Sequence, residues 1–285
     1  MKKRKYIPVV ILLCMIFTNE IEEKNIHNQI LGRDKDPKIE SDISKLQLLY
    51  RKSSWTILTL PGLRFLTEII YPKSTISHFN IKEKIVAFTI DDGFYGMDNP
   101  NGSMIDEVTD LFSKYDAKAT FFTSGSHCYL ETQDLDLFFK NGHEIANHSM
   151  YDWPYDRYSK KQFLEDFNMT DSILSQYTSD IPKWYRAPHA KLSKVMDIVL
   201  KEKGYKHVVC DVFANDTSIP DSKWIAKYIL KRVKPGSILL IHMPEKGVRE
   251  WNFEAMKLTL IGLKKMGYNI VNLSELQQIS EINND

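Results

Sequence analysis

The sequence predicts an α/β fold, a distorted (β/α) barrel of about seven parallel strands with outer helices. From residue 81 onward, short apolar runs rich in β-branched and aromatic residues alternate with longer stretches of helical periodicity. Gly142, Gly204 and Gly267 each follow a helical stretch and precede an apolar run, the usual place of a helix C-terminal glycine. The alternating region, residues 81–278, holds roughly 200 residues, which is slightly short for a complete eight-stranded barrel.

The elements alternate strictly along the chain, which favours parallel strands joined by helices. The predicted strands are Ile85–Ile90, Ala119–Phe122, His143–Ala146, Lys183–Arg186, His207–Cys210, Ser237–Ile241 and Asn269–Val271. The predicted helices lie near 103–115, 133–141, 159–177, 193–203, 222–233 and 252–266. An open, doubly wound sheet has the same alternation, but no Gly-rich phosphate loop follows any strand, so a Rossmann-type nucleotide site is not expected.

The composition is that of an ordinary globular enzyme-sized chain. It has 285 residues, of which 43% are hydrophobic, and 38 basic side chains balance 37 acidic ones. This balance argues against a nucleic-acid partner, which usually requires a basic excess or patch. The three cysteines are too few for a disulfide scaffold, and the oligomeric state stays open.

Residues 1–18 are predicted to be a signal peptide or an N-terminal membrane anchor. A basic start is followed by an apolar run of 12 residues, Tyr6–Phe17, short of the roughly 20 that span a bilayer. Either interpretation makes the protein extracytoplasmic, secreted or anchored, with the membrane contacted only through this segment; a buried helix is the alternative. Residues 19–80 are predicted to be a linker and a helical extension, broken near Pro61-Gly62.

Titratable residues follow several of the predicted strands, at the end where β/α folds place their sites. The first strand ends in two adjacent carboxylates, Asp91 and Asp92, which repel each other unless a cation or a proton separates their roles. The third is followed by His148 and, four residues later, Asp152, a spacing that suits a divalent metal. Taken alone, the first pattern is typical of a turn and the second of a hydrogen-bonded pair.

Three further strand ends carry candidates. Arg186 ends the fourth strand and can orient a carboxylate. The fifth leads to Asp211 and then Asp216, and the sixth ends in His242, whose type suits a general acid. A surface ion pair and a core histidine are the structural alternatives for Arg186 and His242. The recurrence of such residues at successive strand ends favours a site.

In chain order, these segments resemble the motifs of the polysaccharide deacetylases, carbohydrate esterase family 4, which read T-F-D-D-G, H-S/T-x-x-H, R-x-P-Y, D-x-x-D-W or similar, and L-x-H. The corresponding segments here are Thr89-Ile90-Asp91-Asp92-Gly93, His148-Ser149-Met150-Tyr151-Asp152, Arg186-Ala187-Pro188-His189, Asp211 to Asp216, and Leu240-Ile241-His242. The resemblance covers about residues 81–278. It implies a distorted barrel that hydrolyses N-acetyl groups of an acetylated amino sugar, with Asp91 as general base, His242 as general acid and Arg186 holding Asp91.

The resemblance also implies one bound divalent metal, with Asp92 and His148 as ligands. The third ligand is usually histidine but here is Asp152, which makes the set harder and more negative. Zn²⁺ is the expected metal, with Co²⁺ and Mn²⁺ as alternatives that this ligand set tolerates better than usual.

A second departure is His189, which stands where the family has tyrosine. The backbone N–H of His189 falls where the family stabilises the oxyanion. The predicted substrate-binding residues are His189, Asp216, Leu240 and Trp153, the last because its ring could stack on a sugar.

The leading hypothesis is a metal-dependent N-deacetylase of a polysaccharide that contains N-acetylglucosamine, such as chitin or peptidoglycan. One alternative is another C–N amide hydrolase of the same superfamily, acting on a small or lipid-linked amide. The other is a catalytically silent carbohydrate-binding protein, against which Asp91 and His242 both count.

Overall fold

The structure, a computed structural model, describes residues 43–94, 101–128, 135–179 and 181–283. The predicted signal or anchor segment, 1–18, lies outside the described residues. The chain divides into two compact units, residues 1–60 and 61–285. In the first, helix α1 (Lys45–Leu58) begins at a capping box in which Ser44 and Gln47 satisfy each other's backbone N–H groups. Among the described residues, no helix has the length and apolar character needed to cross a bilayer.

The second unit contains the alternating strands and helices that the sequence predicts. Its helices are α2 (Leu63–Ile70), α3 (Ile105–Lys114), α4 (Asp136–Lys140), α5 (Lys160–Leu174), α6 (Lys194–Glu202), α7 (Ser222–Arg232), α8 (Trp251–Lys265) and α9 (Leu273–Ile282). Its strands are β1 (Ile85–Asp91), β2 (Ala119–Thr123), β3 (Glu144–Asn147), β4 (Trp184–Tyr185), β5 (Lys206–His207), β6 (Val212–Phe213), β7 (Ile238–His242) and β8 (Asn269–Val271).

All strand pairs of this unit are parallel, and the predicted fold class is confirmed. The order across the sheet is β5-β4-β3-β2-β1-β7-β6, with β8 added beside β1. One predicted strand, His207–Cys210, needs correction. The structure ends β5 at His207 and begins a separate strand, β6, at Val212, because these two short strands pair with β4 and β7 respectively. Helix α9 was not predicted, although Asn272 caps it by accepting a hydrogen bond from the backbone N–H of Glu275.

The sheet is curled into an incomplete barrel. Strands β5 and β6 are at opposite ends of the strand order, yet only residues 208–211 connect them. That connection spans at most about 18 Å, whereas seven flat strands would hold the two edges roughly 29 Å apart. The short connection therefore requires the sheet to bend until its edges approach each other.

A segment that precedes β1 adds backbone hydrogen bonds beside β5 and β7. The backbone N–H of Ile76 donates to the carbonyl of His207, at 2.9 Å, and the carbonyl of Ile76 accepts from Val209, at 2.8 Å. Three residues later, the N–H of Phe79 donates to the carbonyl of Gly236, also at 2.9 Å, just before β7. The segment thus bridges the edge strand β5 and the start of β7, the neighbour of the other edge strand.

Strand β1 is the centre of this architecture and delivers its last residue to the candidate site. Every residue of β1 except Ile85 is buried, and β2, β7 and β8 all pair with it. A continuous apolar run is the expected sequence for a parallel strand that is covered on both faces. Asp91, the only charged residue of the strand, lies at its carboxyl end.

The closing segment at residues 76–79 generates a prediction about stability. Gly236 has a φ of +74°, and a Cβ atom there would lie 1.8 Å from the carbonyl oxygen of Phe79. Gly236→Ala should therefore lower the free energy of unfolding by roughly 3 kcal/mol, the sum of a left-handed backbone penalty and a lost hydrogen bond with its displaced carbonyl. Urea unfolding followed by circular dichroism measures this loss.

Gly204→Ala is the matched control. Gly204 has a φ of +73°, but nothing lies within 4 Å of the added carbon, so a loss of only about 1 kcal/mol is expected. Equal losses in the two variants would contradict the closing role of residues 76–79.

Candidate active site

The strand register brings the candidate residues to one edge of the barrel. Asp91 is paired with His242 across β1 and β7. Asn147, at the end of β3, is paired with Tyr185 of β4, so that His148 and Arg186 follow at the same level. Because the strands are parallel, all of these residues lie at the carboxyl ends of the sheet.

Arg186 holds Asp91 inside this edge. Its Nη1 donates to Asp91 Oδ1 at 2.6 Å and to Thr89 Oγ1 at 2.9 Å. The guanidinium also lies over the ring of Phe122, with Cζ 4.1 Å from the ring centroid. Since both charged side chains are almost wholly buried, the pair fixes the carboxylate of Asp91 and compensates its charge.

The three predicted metal ligands lie together. One ligand atom from each of Asp92, His148 and Asp152 lies within 4.8 Å of the other two. The Nδ1 of His148 donates to the backbone carbonyl of Arg186 at 2.8 Å, which leaves Nε2 with its lone pair for a cation. One imidazole nitrogen and two carboxylates form a donor set that fits a divalent metal.

Asp92 is also held by an arginine that the sequence did not predict. Arg249 Nη1 donates to Asp92 Oδ2 at 2.9 Å, and both side chains are buried. Burial alone would raise the pKa of Asp92, but the positive charge of Arg249 and those of nearby histidines, including His242 and His127, outweigh it and lower the pKa. Asp92 is therefore an anion at neutral pH.

His242 is oriented by Asp216. The Oδ1 of Asp216 lies 3.1 Å from Nδ1 of His242, and its Oδ2 accepts from the backbone N–H of His242 at 2.9 Å. Asn252 donates to the same Oδ2 at 2.7 Å. Burial alone would lower the pKa of His242, but the charge and hydrogen bond of Asp216, with the charges of Asp92 and Asp91, raise the pKa to about 9. His242 is therefore protonated at neutral pH.

Two predicted substrate-binding residues, Asp216 and Leu240, are buried. Asp216 has no exposed surface, and its carboxylate oxygens are used by His242 and Asn252, so it supports His242 from behind. Leu240 lies within β7 and is 7% exposed. Asp211, in the same predicted motif as Asp216, accepts from Arg64 Nε at 2.9 Å and from the N–H of Ile238 at 2.8 Å, at the opposite end of β7.

His189 and Trp153 border the candidate metal ligands. His189 is exposed, and its Nε2 lies 3.2 Å from the backbone oxygen of Asp152 and 3.6 Å from Asp152 Oδ1. Two of the positions that depart from the family pattern, Asp152 and His189, are thus in contact. The ring of Trp153 lies against that of Tyr151, with centroids 4.3 Å apart.

Arg249, Trp251 and Asn252 are the site residues that sequence reasoning missed. Arg249 lies in the polar loop between β7 and α8, which is typical of a solvated surface. Trp251 Nε1 donates to the backbone oxygen of Asp216 at 2.9 Å. The only available signal was proximity in sequence to His242, which does not distinguish these residues from an ordinary loop.

A family profile described as polysaccharide deacetylase matches residues 80–208. The chain is 30% identical over 196 residues to a peptidoglycan-N-acetylglucosamine deacetylase of Bacillus cereus, a match that covers 68% of this chain and 88% of that protein. It is 26% identical over 199 residues to PdaC of Bacillus subtilis, a peptidoglycan-N-acetylmuramic acid deacetylase, a match that covers 70% of this chain and 40% of PdaC.

The fold is similar to solved structures of the same kind. The structure of PdaC matches with a TM-score of 0.62 at 25% identity, over 71% of this chain and 94% of that chain. A pseudoenzyme of carbohydrate esterase family 4 from Bacillus anthracis also matches with a TM-score of 0.62, at 20% identity, over 73% of this chain and 70% of that one. The latter likeness concerns the fold alone.

The contact between Asp216 and His242 generates a prediction about protonation. Asp216→Asn removes the carboxylate that contributes most to raising the pKa of His242, so this pKa should fall from about 9 by roughly one to three pH units. NMR titration of the imidazole resonances in metal-free protein measures the change.

Asp211→Asn is the control, because Asp211 is a buried carboxylate at the other end of β7. It should leave the pKa of His242 where it is. An unchanged pKa in Asp216→Asn would mean that Asp216 does not set the charge of the imidazole.

Proposed function

Because this chain belongs to the polysaccharide deacetylase family, we propose that it is a metal-dependent hydrolase that removes N-acetyl groups from a polysaccharide containing N-acetylglucosamine. The observation that carries the proposal is the close grouping of Asp92, His148 and Asp152 beside the fixed carboxylate of Asp91, with the imidazole of His242 on the adjacent strand. Amide hydrolysis needs an activated water, a polarised carbonyl and a protonated leaving amine, and this grouping supplies a residue for each need.

Asp92, His148 and Asp152 would hold the cation. A divalent metal in that place supplies Lewis acidity and lowers the pKa of a bound water from 15.7 toward about 7. Two carboxylates with one imidazole make a harder ligand set than one carboxylate with two imidazoles. We propose Zn²⁺ as the metal, with Co²⁺ and Mn²⁺ tolerated better than by a two-histidine set.

Asp91 and His242 would divide the proton transfers. Asp91, held by Arg186, would take the proton of the attacking water. His242, protonated because Asp216 lies behind it, delivers a proton to the leaving nitrogen. Two titratable groups that are held by separate partners are a usual arrangement for acid–base catalysis.

Peptidoglycan is the polymer we propose first, since the two relatives compared above are named for deacetylation of its two amino sugars. His189 and Trp153, beside Asp152, are the residues we propose to contact the sugar. An extracytoplasmic location follows from such a substrate. It agrees with the prediction for residues 1–18, whether that segment is removed or anchors the protein.

A silent carbohydrate-binding role is the second candidate, because a neighbour in fold is a pseudoenzyme. The presence of Asp91 and His242, each with its partner in place, favours catalysis. An amide hydrolase that acts on a small or lipid-linked substrate is the third candidate, and only the assay separates it from the first.

The decisive experiment measures acetate release by the full-length protein. Peptidoglycan, chito-oligosaccharides, acetylated xylan and a small N-acetyl amide are each incubated with added Zn²⁺ or Co²⁺, with and without chelator. We expect the protein to release acetate from a polymer that contains N-acetylglucosamine. Chelator should abolish this release. Polymer binding without acetate would indicate the silent role, and activity on the small amide alone would indicate the third candidate.

Asp91→Asn should reduce kcat by about 10²-fold to 10⁴-fold, since the loss of a general base has effects of that size. Asp110→Asn, a change of the same type on the exposed face of α3, should leave the rate unchanged. If Asp91→Asn keeps the parent rate, Asp91 is not the base.

Asp152→Ala should weaken metal binding, because one of three ligands is lost. Isothermal titration calorimetry with Zn²⁺ and Co²⁺ measures the affinity directly. An Asp152→Ala protein that binds metal and turns over like the parent would exclude Asp152 as a ligand.

A further inference from the structure

Each of the two adjacent carboxylates at the end of β1 has its own buried arginine. Arg186 lies 2.6 Å from Asp91 Oδ1, and Arg249 lies 2.9 Å from Asp92 Oδ2. The side chains of the two arginines are only 4% and 5% exposed. Arg186 has a role in the proposed mechanism, whereas Arg249 contacts a candidate metal ligand and has none.

The backbone at this contact is constrained on both sides. Asp92 has a φ of 58° and Arg249 a φ of 53°, both in the left-handed region that costs a non-glycine residue energy. Such conformations persist where the surrounding structure enforces them, and they are concentrated at functional sites. Trp251 and Asn252, which directly follow the loop of Arg249, bond to Asp216. The junction that presents Arg249 to Asp92 thus also holds the partner of His242.

The contact between Arg249 and Asp92 affects the net charge of the candidate metal site. Asp92 and Asp152 bring two negative charges to a set whose third member, His148, binds metal as a neutral imidazole. Arg249 adds one positive charge to this group. The net charge is then the same as that of one carboxylate and two neutral imidazoles with no arginine beside them. Buried charges need such compensation, because desolvation leaves an unpaired ion strongly disfavoured.

We propose that Arg249 is a positioning residue that sets the charge of the metal site. Its guanidinium holds Asp92 Oδ2, leaves the other carboxylate oxygen for the cation, and offsets the extra negative charge of Asp152. This inference rests on the proposed function, since it assumes that a cation binds at Asp92, His148 and Asp152.

The guanidinium and the cation then both neutralise the charge of Asp92. Each therefore reduces the electrostatic stabilisation that the other provides. Removing the guanidinium should strengthen cation binding, because a positive charge beside the cation is lost. It should also make the fold depend on the cation, because metal-free Asp92 would be a buried anion without its partner.

The test compares Arg249→Met with Arg249→Lys in the full-length protein, using Zn²⁺ and Co²⁺ as ligands. We expect the Kd of Arg249→Met for either metal to be tenfold lower than that of the parent or lower still. Arg249→Lys, which keeps the charge, should stay within about threefold of the parent. Calorimetry gives Kd. Arg249→Gln, a polar and neutral replacement, takes the place of Arg249→Met if the methionine variant does not fold.

Thermal unfolding with and without metal provides the second readout. Chelator should lower the Tm of Arg249→Met by more than it lowers the Tm of the parent or of Arg249→Lys. A merely structural role for Arg249 would lower Tm by the same amount in both conditions and leave Kd unchanged, and that result would overturn the inference.

The outcomes separate this inference from the proposed function. If the parent binds metal through Asp92, as shown by loss of binding in Asp92→Asn, and Arg249→Met binds no more tightly, the inference fails and the metal-dependent function stands. If Arg249→Met binds metal and the parent does not, competition between the guanidinium and the cation for Asp92 is confirmed. The metal-dependent function of the natural chain then fails. If neither binds metal, both fail.

Discussion

Two carboxylates side by side at a buried strand end are the constraint that the rest of the site satisfies. Asp91 and Asp92 are 5% and 4% exposed. When two carboxylates lie close together in a poorly solvated place, one of them takes up a proton unless opposite charges are supplied. The chain supplies them from two directions, with Arg186 from the end of β4 and Arg249 from the loop after β7. Each carboxylate can then serve a different purpose.

The curl of the sheet is what allows Arg186 to reach Asp91. Strand β4 lies three strands away from β1, about 14 Å in a flat sheet at normal strand spacing, which is farther than an arginine side chain extends. Closure by the short connection of residues 208–211, and by residues 76–79 that bond to it, bends the sheet until the two side chains meet. The charge balance of the site therefore depends on the curl of the sheet, since a flatter sheet would leave Asp91 without the guanidinium of Arg186.

Sequence patterns predicted the strands and helices of the second unit well, because parallel strands covered on both faces are continuous apolar runs and helices have their own periodicity. They did not predict the break between β5 and β6, since Val208 and Val209 continue the apolar run while the pairing partner changes. The residues at the strand ends were predicted because topology alone assigns their position. Arg249 was not, because its partner Asp92 is 157 residues away and nothing in a polar loop shows that it turns inward.

The arrangement also separates the base from the acid. Arg186 binds Asp91 through its side chain and accepts from His148 through its backbone carbonyl, so one residue aligns the proposed base with a proposed ligand. On the other side, Asp216 holds both the ring and the backbone of His242. Asp92 has a ligand atom within 4.8 Å of one from His148, its pKa is lowered by the charge of His242, and Arg249 is its hydrogen-bond partner. A change of charge at Asp92 therefore acts on both halves at once, which makes the neutralisation of Asp92 the control point of the site.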